Sequence, residues 1–214
     1  CMPDEYCFCT SLGTDQARGS CDLFLTRIKR GFLVEVRTPA GEDMLSGVGS
    51  HEPTAQDRAD AARWREDKAK RVTAHLDAPV EELAQALEAG GHSEIWHDLA
   101  ERCYSCGSCN TTCPNCFCFD VKDEFEVGLT SGTRIRTWDS CQLRDFALVA
   151  GGHNFRRLRW QRVRHRWHRK FLYLYRRFGT PYCTGCGRCS RACTADINIV
   201  QVSNQLLHHA ARKG

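Results

Sequence analysis

Hydrophobic residues are distributed in two ways along this chain, and the change between them predicts where strands give way to helices. Near the start, DLFLT (Asp22 to Thr26) and GFLVEVRT (Gly31 to Thr38) are rich in β-formers. PAGED (Pro39 to Asp43) comes next with turn chemistry before MLSGVG, so residues 1–50 are expected to form a small β module. After Pro53 the period changes. Thr54, with Asp57 three positions on, is a capping-box signal opening an Ala-rich, alternately charged helix to about His75. A second helix is expected from Asp77 to a stop at Gly90-Gly91, and a third from Ser93 into Cys103, making residues 51–102 a helical connector. Farther along, Trp160, Val163, Trp167, Phe171, Leu174 and Phe178 recur at steps of three or four, the stripe of one helix face. Strands followed by helices predict an α+β fold. The apolar runs, such as FLYLY (Phe171 to Tyr175), fall far short of the roughly 18 to 20 residues a membrane helix needs.

The composition, with 42% hydrophobic and 26% charged residues, suits a folded chain with one good core or two small ones. The opening CMPDEYCFCT lacks the basic and then apolar profile of a secretory leader, and with no export signal a cytoplasmic location is expected. A start on Cys rather than Met suggests that an upstream segment is missing.

Cysteine changes the picture most. There are fifteen, an odd number that full internal disulfide pairing cannot satisfy, and in a reducing compartment such thiols more often bind metal. Cys103, Cys106, Cys109 and Cys113, followed by Pro114, read C-x2-C-x2-C-x3-C-P. Cys183, Cys186, Cys189 and Cys193 repeat that spacing, with Thr194 in place of the proline. This is the pattern of a two-cluster ferredoxin: three closely spaced thiolates hold one iron cube, and the fourth turns to the other. Cys193 is therefore expected to join Cys103, Cys106 and Cys109, and Cys113 to join Cys183, Cys186 and Cys189. Gly107, Gly185 and Gly187 suit loops this tight. Zinc, the competing reading, needs neither a third equally spaced cysteine nor the final x3-C-P.

The expected cofactors are thus two 4Fe-4S clusters. The two runs are separated by 69 residues, so the ferredoxin-like domain at 103–204 carries a long insertion at 119–182, with a tail at 205–214. Cys1, Cys7, Cys9, Cys21, Cys116, Cys118 and Cys141 are left over. Cys21 reads as a small buried hydrophobe. Cys7, Cys9, Cys116, Cys118 and Cys141 could hold another metal centre, give S–H hydrogen bonds to a cluster, or pack.

Charge singles out the insertion. Between Asn154 and Phe178 the helix carries Arg156, Arg157, Arg159, Arg162, Arg164, Arg166, Arg169, Lys170, Arg176 and Arg177 opposite its apolar stripe, and no acid occurs from Phe146 to Ala195. A basic, aromatic helix at 156–177 admits a nucleic-acid reading. The clusters supply another. Eight thiolates around two oxidised cubes leave about −4, the opposite of the chain's formal +4, so nearby cations would offset buried charge and tune potential. His165 and His168 on the same helix are expected at the surface or in hydrogen bonds, because the cysteine sets are complete without them.

CFCTSLG (Cys7 to Gly13), CYSCGSCNTTCPNCFCFDVKD (Cys103 to Asp123), TWDSCQLRDF (Thr137 to Phe146), AGGHNFR (Ala150 to Arg156), RHRWHRKFLY (Arg164 to Tyr173) and CTGCGRCSRAC (Cys183 to Cys193) carry a resemblance spanning nearly the whole chain. In order, they resemble the β subunit of cytosolic nickel–iron hydrogenases of the sulfhydrogenase type, and are similar to one of the subunits of anaerobic sulfite reductase. Thr194 departs from the proline usual after the last ligand, and the family extends further upstream, which would make residues 1–50 the end of a longer N-terminal domain. The resemblance implies a non-catalytic electron-transfer subunit, relaying electrons between a flavin subunit that handles NAD(P)H and a catalytic hydrogenase or sulfite-reductase subunit. The sequence agrees in lacking a Rossmann fingerprint, a P-loop and a nucleophile motif.

Overall fold

The computed structural model describes residues 1–17, 21–90 and 94–212. The expected helix stop at Gly91 and helix start at Ser93 lie outside the described residues. After a single helical turn, α1 (Cys9–Leu12), strands β1 (Leu23–Ile28) and β2 (Gly31–Val36) pair antiparallel, with Leu23 opposite Val36 and Ile28 opposite Gly31.

The hairpin leads into a helix rather than the expected turn. Pro39–Leu45 form α2, with Thr38 at its N-cap accepting from the Gly41 N–H at 3.3 Å. Proline favours the first helical position as much as it favours turns, and Thr38 supplies the cap that decides between them. Segment 1–50 is therefore mixed rather than purely β.

Helix α3 (Ala55–Lys70) opens on the expected capping box, with the Thr54 hydroxyl and Asp57 carboxylate each satisfying the other's backbone N–H. It ends at Lys70, short of His75, and the chain then drops Val72 and Leu76 into the core. Helix α4 (Val80–Ala89) starts after Pro79 and ends with Gly90 as C-cap, and α5 (Ile95–Arg102) leads directly to Cys103.

A one-turn helix, α6 (Ser108–Thr111), precedes an antiparallel hairpin of β3 (Phe119–Phe125) and β4 (Gly132–Trp138). The hairpin stands clear of the core, with Phe119, Val121, Phe125 and Trp138 exposed. Helix α7 (Arg159–His168) then passes through one π-helical turn (Arg169–Tyr173) into α8 (Leu174–Phe178), so the expected long helix is continuous from 159 to 178. A second one-turn helix, α9 (Arg188–Arg191), leads to α10 (Ile199–Ala211).

Helices α4, α5, α7 and α10 enclose the core. Leu83, Leu87, Trp96 and Phe171 are fully buried, and each such side chain contributes roughly 1.5–3 kcal/mol by leaving water. The Trp96 and Trp167 rings lie 5.8 Å apart, and the Trp167 indole N–H donates to Ser203 Oγ on α10. Residues 205–212 are consequently not a tail: Leu206 and Leu207 continue the apolar face of α10 and are buried against α4. Among the described residues no helix is long and apolar enough to cross a membrane.

Candidate iron–sulfur site

The two cysteine runs fold as near copies of one another, residue for residue. In each, the second residue after the first cysteine is left-handed, Ser105 at φ 55° and Gly185 at φ 65°. Its backbone N–H turns back on the first sulfur, Cys103 Sγ or Cys183 Sγ, at 3.4 Å. A left-handed glycine follows the second cysteine, Gly107 or Gly187, and its carbonyl accepts from the Asn110 or Ser190 N–H to open α6 or α9. The last cysteine of each run, Cys113 or Cys193, closes that turn on the carbonyl of Asn110 or Ser190. α6 and α9 then pack against one another, so the two loops meet face to face.

Each loop is backed by a segment from elsewhere in the chain, and glycine permits the approach. A Cβ on Gly185 would lie 2.5 Å from the Cys9 backbone, and the Phe8 N–H donates to the Gly185 carbonyl at 2.8 Å. Tyr6–Cys9 therefore sits on the second loop. A Cβ on Gly107 would lie 2.9 Å from Ser140 Cβ, so the buried Ser140-Cys141-Gln142 segment sits on the first. These are the CFC and DSC stretches of the sequence, far from either run in the chain.

Between the loops runs a line of buried cations. Arg162, Arg166 and Lys170, spaced four apart on α7 and its π-turn, are 6%, 6% and 3% exposed. Arg162 anchors the first loop, donating to the Gln142 carbonyl at 2.9 Å and to Ser105 Oγ at 3.3 Å. Burial disfavours the charged form of Arg166, yet the thiolates of Cys189 and Cys109 beside it raise its pKa above the ordinary value. Lys170 lies 3.1 Å from Cys113 Sγ; burial pulls its pKa down, and Cys183 and Cys113 more than reverse that. The basic helix thus turns part of its charge inward. Those three of the ten cations on the helix are not available to a phosphate backbone.

The cysteines themselves divide by environment. Burial pushes Cys109 up to about 11 and Cys183 up to about 12, as an apolar site does to any lone thiol. Cys113 is pulled down to about 4, chiefly by the hydrogen bond from Cys116, with Lys170 assisting. Cys106 is exposed, and its thiol is lowered by hydrogen bonds to Ser108. Cys113 and Cys189 both bear on the Cys183 thiol, and Cys103 and Cys189 on Cys109. Among the described residues no three Cys, His, Asp or Glu side chains gather around a single ion. Thiols spread over facing loops, with N–H groups on sulfur and buried cations between them, are a donor set that fits iron–sulfur clusters.

The sequence led to the expectation of cations offsetting the charge of the thiolates, but not which ones: the four-residue spacing of Arg162, Arg166 and Lys170 is the signal that places these three on the inward face. The sequence also placed His168 differently, at the surface or in a hydrogen bond; His165 is partly exposed. His168 is buried, its Nε2 has no hydrogen-bond partner, and burial lowers both imidazoles to about 4. A separate open groove lined by Ile95, Asp98, Arg102, His208 and His209 contains none of the cysteines.

Comparison with known proteins agrees with this geometry. Residues 102–197 match the 4Fe-4S dicluster domain family. The chain is 39% identical, over 213 residues, to the beta subunit of sulfhydrogenase 2 from Pyrococcus furiosus. That alignment covers 96% of this chain and 61% of the relative. No solved structure matches.

Proposed function

We propose that this chain, which belongs through residues 102–197 to the 4Fe-4S dicluster family, is an electron-relay subunit carrying two 4Fe-4S clusters within a multi-subunit oxidoreductase. One cluster is held by Cys103, Cys106, Cys109 and Cys193, the other by Cys183, Cys186, Cys189 and Cys113. The observation that carries the reading is the pair of matching loops meeting through α6 and α9, with Arg166 and Lys170 buried between their thiols. Bound clusters supply one-electron transfer. The protein supplies the rest: N–H groups directed at sulfur, cations that offset thiolate charge, and backing segments that hold each loop shut.

Similarity to a sulfhydrogenase beta subunit supports placement between a flavin subunit that handles NAD(P)H and a catalytic subunit of hydrogenase or sulfite-reductase type. Chemistry on hydrogen or a sulfur oxyanion belongs to that catalytic partner in this reading, and this chain makes or breaks no substrate bond. The test is iron and sulfide analysis of anaerobically purified protein beside Cys106→Ala. The variant is expected to lose iron and electron transfer; a full iron complement in Cys106→Ala would overturn the ligand assignment.

A further inference from the structure

The inner side of the two loops is closed by further thiols and by the buried cations. Cys116 donates to Cys113, Cys141 to Cys118, and Cys7 to the Cys186 carbonyl at 3.6 Å. The outer side of the first loop is open. Cys106 is the one exposed member of the eight loop cysteines, and Tyr104, two residues earlier, is 67% exposed.

One guanidinium ties this loop to the irregular segment 143–158. Arg162 donates to Ser105 Oγ of the loop at 3.3 Å and to the Arg156 and Arg157 carbonyls at 3.1 and 2.7 Å. The segment is folded on itself: the Asn154 amide donates to the Arg144 carbonyl at 2.7 Å, and the Phe155 N–H to the Ala147 carbonyl at 3.3 Å. Its Leu143 side chain reaches the loop, 3.8 Å from where a Cβ on Gly107 would lie. Folded in this way, the segment leaves Leu143, Phe155 and Leu158 exposed, Phe155 by 63%. Arg144, Arg157 and Arg159 are exposed in the same stretch of chain, and Arg144 and Arg159 bear on the Arg162 guanidinium together with Cys103. Arg159 also donates to the Ala100 carbonyl, just ahead of the loop, at 3.1 Å. Asp145 is the only acid from Ser140 to Ala195.

A solvated face needs charge alone, whereas aromatic and aliphatic side chains set within an arginine rim are the make-up of a docking surface. We propose that Tyr104, Leu143, Phe155 and Leu158, rimmed by Arg144, Arg157 and Arg159, dock an acidic electron-transfer protein or domain that exchanges electrons with the cluster at Cys106. The rim dictates the partner's chemistry: carboxylates around an apolar patch that covers its own redox group. One electron crosses, reducing one group and oxidising the other, and no bond forms or breaks. Because Cys106 brings its end of the loop to the surface, contact here shortens the path between the two redox groups. The inference rests on the relay reading and names the port through which electrons enter or leave it.

The test uses the whole chain, loaded with clusters in the absence of oxygen, and two one-electron probes of opposite charge, acidic cytochrome b5 and basic cytochrome c. Calorimetry measures binding at ~20 mM and ~300 mM salt, and stopped flow measures electron transfer from the reduced chain. At low salt cytochrome b5 is expected to bind about tenfold more tightly than cytochrome c, with the preference gone at high salt. Arg144→Glu and Arg157→Glu should each weaken this binding and slow transfer about tenfold. Arg58→Glu makes the same charge change on α3, which packs against β1, and should do neither. Phe155→Ala should weaken binding at both salt concentrations. No preference for the acidic probe, or equal losses in Arg58→Glu and Arg157→Glu, overturns the proposal. Tighter binding of a single-stranded oligonucleotide than of cytochrome b5, lost in Arg144→Glu and Arg157→Glu, overturns it in favour of a nucleic-acid surface. A chain that takes up no iron overturns the relay reading and this inference with it; an iron-loaded chain that fails the binding test overturns this inference alone.

Discussion

The Lys170 ammonium lies 3.1 Å from the sulfur of Cys113, the fourth cysteine of the first run, and it also interacts with Cys183 at the head of the second. A buried cation at this junction stabilises the more negative, reduced state of whatever the thiolates hold. Lys170→Met keeps the volume and removes the charge. The cluster of the second loop is expected to become harder to reduce, its potential falling on the order of 100 mV, by Coulomb's law at an effective dielectric constant near 20. Redox titration followed by paramagnetic resonance checks this. An unchanged potential with full iron content would show that Lys170 serves packing alone.

Gly185 holds the second loop against Cys9, and no side chain fits there. Gly185→Ala would place a methyl 2.5 Å from the Cys9 backbone at a φ of 65°. The left-handed backbone alone costs an alanine about 1–2 kcal/mol, and displacing Tyr6–Cys9 adds to it. Reduced thermal stability and faster iron loss in air are expected. Gly151→Ala, at φ 88° but with open space around it, is the control that isolates the backbone cost.

The pattern of apolar positions makes much of this fold legible, and particular residues show where it stops. Thr54 and Asp57 mark the start of α3 because a capping box is a local device. Pro39 misleads because proline serves both turns and first helical turns, and only the Thr38 side chain separates them. The β3–β4 hairpin escapes the pattern although Val121 and Ile135 alternate with polar neighbours, since it buries too little for that alternation to stand out. The cysteine spacing marks where the two loops lie, but not the one-turn helices α6 and α9 that close them. It cannot reveal that Arg162, Arg166 and Lys170 face inward, because a charge on a helix reads as solvated unless the buried partner is known.

His168 ties stability to pH. Its imidazole is buried without a partner for Nε2, and burial holds its pKa near about 4, below the ordinary 6.5. The folded chain therefore binds fewer protons than the unfolded chain between those values. The stabilising contribution is present above the unfolded pKa and is lost as pH falls toward the folded one. Between pH 7.5 and pH 5 the cost is about 1–2 kcal/mol. His168→Phe is expected to shrink the difference between denaturant midpoints at these two pH values. An equal difference in the variant would assign the acid sensitivity elsewhere.

The last prediction concerns which cysteines act together. Local spacing alone would make each run of four a self-contained unit, and under that scheme Cys113→Ala would damage the cluster of Cys103. The proposed exchange rests on two contacts: Cys113 bears on Cys183, and Lys170 holds Cys113 Sγ while also contacting the Tyr182 carbonyl just before the second run. Cys113→Ala should then perturb the same paramagnetic signal as Cys183→Ala, and Cys193→Ala the same signal as Cys103→Ala. Comparing spectra of the four reduced variants tests this directly. If Cys113→Ala instead resembled Cys103→Ala, the two loops would hold their clusters independently, and the contact of α6 with α9 would be packing rather than a shared ligand framework.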